Sequence, residues 1–304
     1  NVANIHKTIT PRQYSAPILS LLGLVLFSLF FSVINSKYTQ FNVYESRNFY
    51  GNLAVKDLTM LKVPERRLVD GYTSHGGQSL TPPLTPLSYY RPQAGIGLVL
   101  APEYWPSNKK VGLIGLGVGA LAFYGQPGDQ FTFYELNPDV AYVANTYFDY
   151  LAHSKASVDI VLGDGRVTLE SELTDADKHS FDVLVVDAFS SDSIPVHLLT
   201  QEAVNLYHQH LSDQGVLAFH ISNTYLDLKP GMRAIATQLN KPALYFKTHA
   251  DDDNEHMTEW VIFTNNTALL NSSKLRQVST RELMDDGLSI RWRDDYSSLV
   301  PLLK

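Results

Sequence analysis

The sequence predicts an α/β fold: a mostly parallel sheet of alternating strands and helices, preceded by a small β-rich segment and one apolar helix. Three observations carry that expectation. From residue 110 onward, short apolar runs alternate with helical stretches. Residues 181–187 (Phe-Asp-Val-Leu-Val-Val-Asp) form a continuous apolar run, as a strand buried on both faces requires. Residues 16–34 carry no charge at all.

The nineteen residues 16–34 come first. At ~1.5 Å per residue, a helix of that length nearly spans a ~30 Å hydrocarbon core, so a transmembrane anchor over residues 1–36 is expected. A signal peptide would have a shorter core and a small-residue cleavage site; Asn35, Ser36, Lys37 and Tyr38 follow instead. Basic residues flank both ends, so orientation is poorly set by charge. The chain begins with Asn1, which leaves room for further membrane segments upstream.

Residues 37–105 read as a small β-rich domain. Short apolar runs around Phe41 to Tyr44, Tyr50 to Val55 and Leu58 to Val63 are separated by turn residues. The stretch from Arg67 to Gln78 is rich in glycine and polar groups, which suits a loop where backbone approaches a ligand, with His75 and Gln78 as candidate contacts. A proline cluster follows, then Tyr89 and Tyr90.

Residues 106–304 read as the large domain. Strands are expected over 111–115, 131–136, 158–162, 181–187 and 215–221, with helices over 138–150, 196–211 and 231–239, then strands near 243–246 and 260–263. Alternation of this kind implies helices on both faces of the sheet, and such sheets bind ligands beyond the carboxyl ends of their strands.

Composition narrows the partners. The chain has 304 residues, 44% hydrophobic and 18% charged, with a net charge of −7, which argues against nucleic acid. It has no cysteine, so it has no disulfide framework and no thiolate metal site. The acidic run 251–256 lacks ligand spacing, and no metal is expected.

The chemistry gathers at the strand ends. Gly115-Leu-Gly-Val-Gly-Ala120 follows the first strand of the large sheet, where Gly115, Gly117 and Gly119 permit a tight turn and close approach to a ligand. Glu135 ends the next strand, twenty residues after Gly115, where a carboxylate accepts hydrogen bonds from both ribose hydroxyls. Asp164 and Gly165 close the third strand, with Asp164 placed for an adenine amino group. Asp187 ends the fourth, followed by the loop that holds Asp192; both are candidates for a general base or for anchoring a cation. His220 and Asn223 close the fifth. Asp192 or Ser193 is also a plausible helix N-cap. The pattern is Rossmann-like, of the class I methyltransferase type, and nucleoside-binding.

The order of these motifs resembles the spermidine synthase (polyamine aminopropyltransferase) family, and in particular a bacterial branch joined to membrane helices. The resemblance runs from about Arg47 to Leu239. It implies that Glu135 in Tyr-Glu-Leu-Asn-Pro binds ribose, that Asp164 contacts adenine, and that Asp187 and Asp192 form the catalytic loop. Gln78 matches the glutamine after that family's Asp-Gly turn, with Asp70-Gly71 as the turn, and Tyr90 matches its substrate tyrosine. The resemblance implies S-adenosylmethionine or its decarboxylated form as a substrate, an amine acceptor, a role in polyamine biosynthesis, and room for a homodimer. With the helix it also admits a lipid-linked acceptor and a bacterial inner-membrane location with the domain in the cytoplasm. The chain departs from the pattern in places. Val118 stands where the family has the aspartate that binds propylamine, and Pro-Leu-Ser and Arg91 replace the acids on either side of the tyrosine. A methyltransferase or lyase, a non-catalytic nucleoside sensor, and nicotinamide binding therefore stay open.

Overall fold

The computed structural model describes residues 12–71, 73–174, 179–189, 194–248, 257–280, 283 and 287–304. It divides into two units, residues 1–42 and 43–304.

The described part of the first unit is one helix, α1 (Arg12–Thr39), of 28 residues. Its stretch Pro17–Thr39 is long and apolar enough to cross a membrane, and none of its most apolar window is buried by protein.

In the rest of the chain two sheets form. The smaller contains β1 (Asn42–Asn48), β2 (Gly51–Leu58), β3 (Glu65–Asp70) and β4 (Thr73–Ser79), in sequential order. Strands β2, β3 and β4 pair antiparallel, and Asp70 lies opposite Thr73 across the tight turn at Gly71. Arg66 grips Asp57 across β2 and β3 through two hydrogen bonds of 2.7 and 2.8 Å and reaches the carbonyl of Tyr147. A short helix, α2 (Gly95–Val99), is buried throughout and leads to the second sheet.

That sheet runs through β5 (Lys110–Ile114), β6 (Gln130–Glu135), α3 (Pro138–Tyr147), β7 (Ser157–Leu162), α4 (Gly165–Thr174), β8 (Phe181–Val186), α5 (Gln201–Gln209), β9 (Leu211–His220), α6 (Lys229–Leu239), β10 (Ala243–Thr248) and β11 (Thr258–Thr264). Two short helices, α7 (Thr267–Asn271) and α8 (Ser273–Val278), precede a two-residue edge strand, β12 (Ser279–Thr280). The strand order is β12-β10-β11-β9-β8-β5-β6-β7. Strands β5 to β9 pair in parallel, and β11 lies antiparallel to both β9 and β10. This is the Rossmann-like, methyltransferase-type sheet.

Alternating side chains of the central strands feed two cores. Val183, Val185, Leu113 and Phe133 pack on one face with Val143 and Ala144 of α3. Leu184, Val186 and Phe219 pack on the other with Val204 and Tyr207 of α5 and Met232 of α6. Burial on both faces is why residues 181–187 show no polar alternation. The chain steps outward from β5 to β6 and β7, then returns to the opposite side at β8, so the sheet opens between β5 and β8. Crevices at such reversal points are where sheets of this class take ligands.

A five-residue 3-10 turn (Ala120–Tyr124) follows the glycine loop. The helix expected over 196–211 is divided: a 3-10 turn spans Val196–Leu198, and α5 begins after Thr200, whose hydroxyl accepts from Ala203 N–H. Thr200 thus caps α5, and the expected caps Asp192 and Ser193 lie outside the described residues.

Lys109 and Asp129 form a fully buried ion pair at the foot of β5. Asp129 also accepts from the backbone N–H groups of Lys109 and Gln126, each at 2.9 Å. Breaking a buried pair leaves one charge without its partner in a low-dielectric site. The Lys109→Ala protein is expected to lose about 3–5 kcal/mol of stability, read from chemical denaturation.

Candidate active site

At the opening between β5 and β8 the strand ends and two hairpin turns of the small sheet enclose a cleft. The glycine loop forms its floor. Gly115 has φ +101°, and a Cβ there would stand 2.4 Å from the Asp187 carbonyl oxygen. Gly117 has φ +53°, and its Cβ would stand 2.8 Å from the His75 carbonyl oxygen. Both positions need glycine for conformation and for space. Gly115→Ala is expected to destabilise the protein by about 1–3 kcal/mol from backbone strain alone, seen as a lower melting temperature.

Glu135 ends β6 with its carboxylate held by backbone. One oxygen accepts from Leu116 N–H of the glycine loop at 3.0 Å, the other from Asn137 N–H at 2.8 Å. Asn137 in turn caps α3 by accepting from Asp139 N–H. Burial raises the Glu135 pKa, against the lowering effect of those N–H donors. Asp164 caps α4 by accepting from the N–H groups of Arg166 and Val167, both at 3.0 Å. Its second oxygen lies 3.0 Å from His197 Nε2. Arg166 steadies that corner by reaching the His197 carbonyl and Asp294. The guanidinium, with the Thr200 hydroxyl, holds Asp294 down to a pKa of about 2.

Asp187 sits at the end of β8, nearly buried. Its Oδ1 is 2.7 Å from His220 Nδ1, and the Tyr90 hydroxyl hydrogen-bonds to its carboxylate. Burial, reinforced by Asp187, raises the Tyr90 pKa well above the usual phenol value, so Tyr90 remains a donor. The His220 ring stacks on Trp260, with centroids 4.5 Å apart and planes 11° apart, and Tyr89 and Phe189 close its other sides.

No family model matches the chain. A polyamine aminopropyltransferase of Vibrio vulnificus is 32% identical over 124 residues, 40% of this chain and 39% of that protein. The structure resembles a probable spermidine synthase of Corynebacterium glutamicum, with TM-score 0.57 and 17% identity over 83% of this chain and 90% of that one. It also resembles a spermidine synthase solved with the transition-state analogue AdoDATO, with TM-score 0.51 and 14% identity over 84% of this chain and 81% of that one.

The chain has a spermidine synthase-like fold.

It spans about two fifths of the length of the curated relatives it matches. The structure gathers Gly115, Gly117, Glu135, Asp164, Gly165, Asp187, Tyr90, His75 and His220 in the lining of the cleft. Three expected contacts are not brought there. Both ends of the Gln78 amide bond Asp149, at 2.6 and 2.7 Å, which ties β4 to the end of α3 and keeps Gln78 out of the lining. Gly119 faces Leu151, where a Cβ would stand 2.7 Å away, and starts the 3-10 turn. The Asn223 side-chain oxygen accepts from Tyr225 and Leu226 N–H to close its own turn. Asp192 lies outside the described residues. Val118 is fully buried against Gly76 and does not reach the cleft wall.

Sequence reasoning missed His197, Asp70 as a lining group, and Trp260 beneath His220. His197 meets Asp164 from 33 residues away, which no local pattern announces. Trp260 lies in a strand that reads as ordinary core.

Proposed function

We propose that the chain is an aminopropyltransferase-like transferase acting on S-adenosylmethionine, preferentially in its decarboxylated form. The observation that supports this most is the charge of the cleft. Asp70, Glu135, Asp164 and Asp187 line it, and no lysine or arginine does among the described residues. Decarboxylated adenosylmethionine is a dication at neutral pH, whereas the carboxylate of the parent compound would meet four acids and no lysine or arginine among the described lining residues. Charge burial without an opposite partner is unfavourable, so this lining selects a cationic nucleoside.

In this reading Glu135 receives the ribose hydroxyls and Asp164, with His197 beside it, lies at the adenine. The glycine loop leaves room for the nucleoside. An amine attacks the carbon next to the sulfonium, the carbon–sulfur bond breaks, and methylthioadenosine leaves. Asp187 takes the proton that the amine loses. The cleft orients both reactants so that displacement proceeds in line.

The division into an anchor over 1–36, a small domain over 37–105 and a catalytic domain over 106–304 belongs to the same proposal, supported by the apolar helix and the two sheets. So does a bacterial inner-membrane location with the cleft on the cytoplasmic side, where adenosylmethionine is made. The helix is also what admits a lipid-linked amine beside soluble ones, and a homodimer is compatible with this reading.

Product analysis tests it. Incubation with decarboxylated adenosylmethionine and a set of di- and monoamines should release methylthioadenosine with an equal amount of aminopropylated amine. Adenosylhomocysteine formed from adenosylmethionine would move the reading to methyl transfer, and no transfer to any amine would sink it.

A further inference from the structure

Three groups stand in a row leading away from the cleft: Asp187, His220 and Ser222. Ser222 Oγ is 2.7 Å from His220 Nε2, and His220 Nδ1 is 2.7 Å from Asp187 Oδ1. Ser222 Oγ also accepts from the Glu259 backbone N–H at 2.8 Å. The row has the spacing of a serine hydrolase triad but the opposite direction. Asp187 and His220 line the cleft, and Ser222 does not. A nucleophilic serine must face its substrate, so here the working end is the carboxylate.

Hydrogen-bond inventory narrows the remaining choices. An ionised carboxylate only accepts, so Nδ1 of His220 must carry a proton. Nε2 then either accepts from Ser222 or, in an imidazolium, donates to it. Ser222 already takes one N–H from the backbone, which leaves its hydroxyl proton free to point at Nε2. We infer that Ser222 is a positioning residue: its hydroxyl donates to Nε2 and holds His220 as the neutral Nδ1–H tautomer, so that Asp187 faces the cleft with its charge intact. An imidazolium there would cancel the one carboxylate at the end of β8 that must receive a proton. The stacked Trp260 ring holds the imidazole plane against rotation. Tyr89 and Tyr90 lie on the cleft side of His220, and Asp187 lies at its Nδ1. The Glu259 carboxylate, on the neighbouring strand, is engaged by the Tyr245 hydroxyl and Lys247.

The catalytic consequence rests on the transferase reading; the tautomer does not. The test is nitrogen NMR of the full-length protein in detergent, labelled at histidine, with His220→Gln identifying the signals. At neutral pH the wild type should show a neutral ring with its proton on Nδ1. Imidazolium shifts, or a proton on Nε2 alone, would overturn the inference. In turnover assays Ser222→Ala should lower kcat at least ~10-fold at neutral pH while leaving methylthioadenosine affinity unchanged, and should move the acid limb of the pH–rate profile upward. Ser222→Thr, which keeps the hydroxyl, should restore both. An unaltered profile in Ser222→Ala would also overturn the inference, provided that Asp187→Asn is inactive. Covalent labelling of Ser222 by a fluorophosphonate would overturn the direction assigned to the row. Absence of any amine transfer by the wild type would defeat the transferase reading alone, because the NMR result stands without it.

Discussion

Asp187→Asn is expected to lower kcat for amine transfer by about 10²- to 10⁴-fold, the range that a positioned proton acceptor contributes. The replacement is nearly isosteric. Its amide oxygen can still accept from His220 Nδ1–H and its N–H₂ can donate to the Tyr90 hydroxyl oxygen, so the fold and the nucleoside end of the cleft should be undisturbed. Methylthioadenosine affinity should stay within about twofold of wild type, because a group used mainly in the transition state leaves ground-state binding unchanged. Steady-state kinetics and a binding titration on the same preparation check both halves. Equal losses of turnover and affinity would mean that Asp187 anchors ligand and that the base lies elsewhere in the loop.

Glu135→Gln should behave in the opposite way. The glutamate already accepts two backbone N–H groups, and its remaining lone pairs face the cleft. An amide supplies one acceptor oxygen where the carboxylate supplies two, and it turns an N–H₂ toward one of the donors. Hydrogen bonds to charged groups contribute about 1.5–3 kcal/mol, so nucleoside affinity should fall roughly 10- to 150-fold. The pH dependence has a definite sign. Burial raises the Glu135 pKa, so its charge is lost on acidification at a higher pH than for an ordinary glutamate at about 4.3. Affinity for methylthioadenosine should be full above the raised pKa and decline as pH falls through it. A flat pH profile in wild type, or a Glu135→Gln protein that binds normally, would remove the ribose role.

Much of the large sheet is legible in the sequence because its signals are local. A strand buried on both faces must be apolar at every position, and residues 181–187 nearly are. Glu135 is found by its distance from Gly115, since one βα unit fixes that spacing. Asp164 and Asp187 are found because parallel strands deliver their ends to one edge.

What escapes is set by partners remote in the chain. Gln78 reads as a ligand contact until Asp149, seventy-one residues away, takes its amide. His197 gains its significance only when a loop brings it to Asp164, and Arg166 is fixed by Asp294, 128 residues distant. The break in the helix at Thr200 has a local cause, yet several residues nearby could cap equally well. The tail after Thr264 has little periodicity, and its described residues are placed by remote partners, such as the Trp292 ring against Gly231, where a Cβ would stand 2.2 Å from the indole.

The central claim is that the cleft takes a cationic sulfonium nucleoside. Calorimetric titration of the full-length protein in detergent with decarboxylated adenosylmethionine, adenosylmethionine and methylthioadenosine tests it most directly. The account predicts tight binding of the decarboxylated form and of methylthioadenosine, with adenosylmethionine at least ~10-fold weaker, since its carboxylate meets four acids and no lysine or arginine among the described lining residues. Preference for adenosylmethionine, or no binding of any of the three, would contradict it.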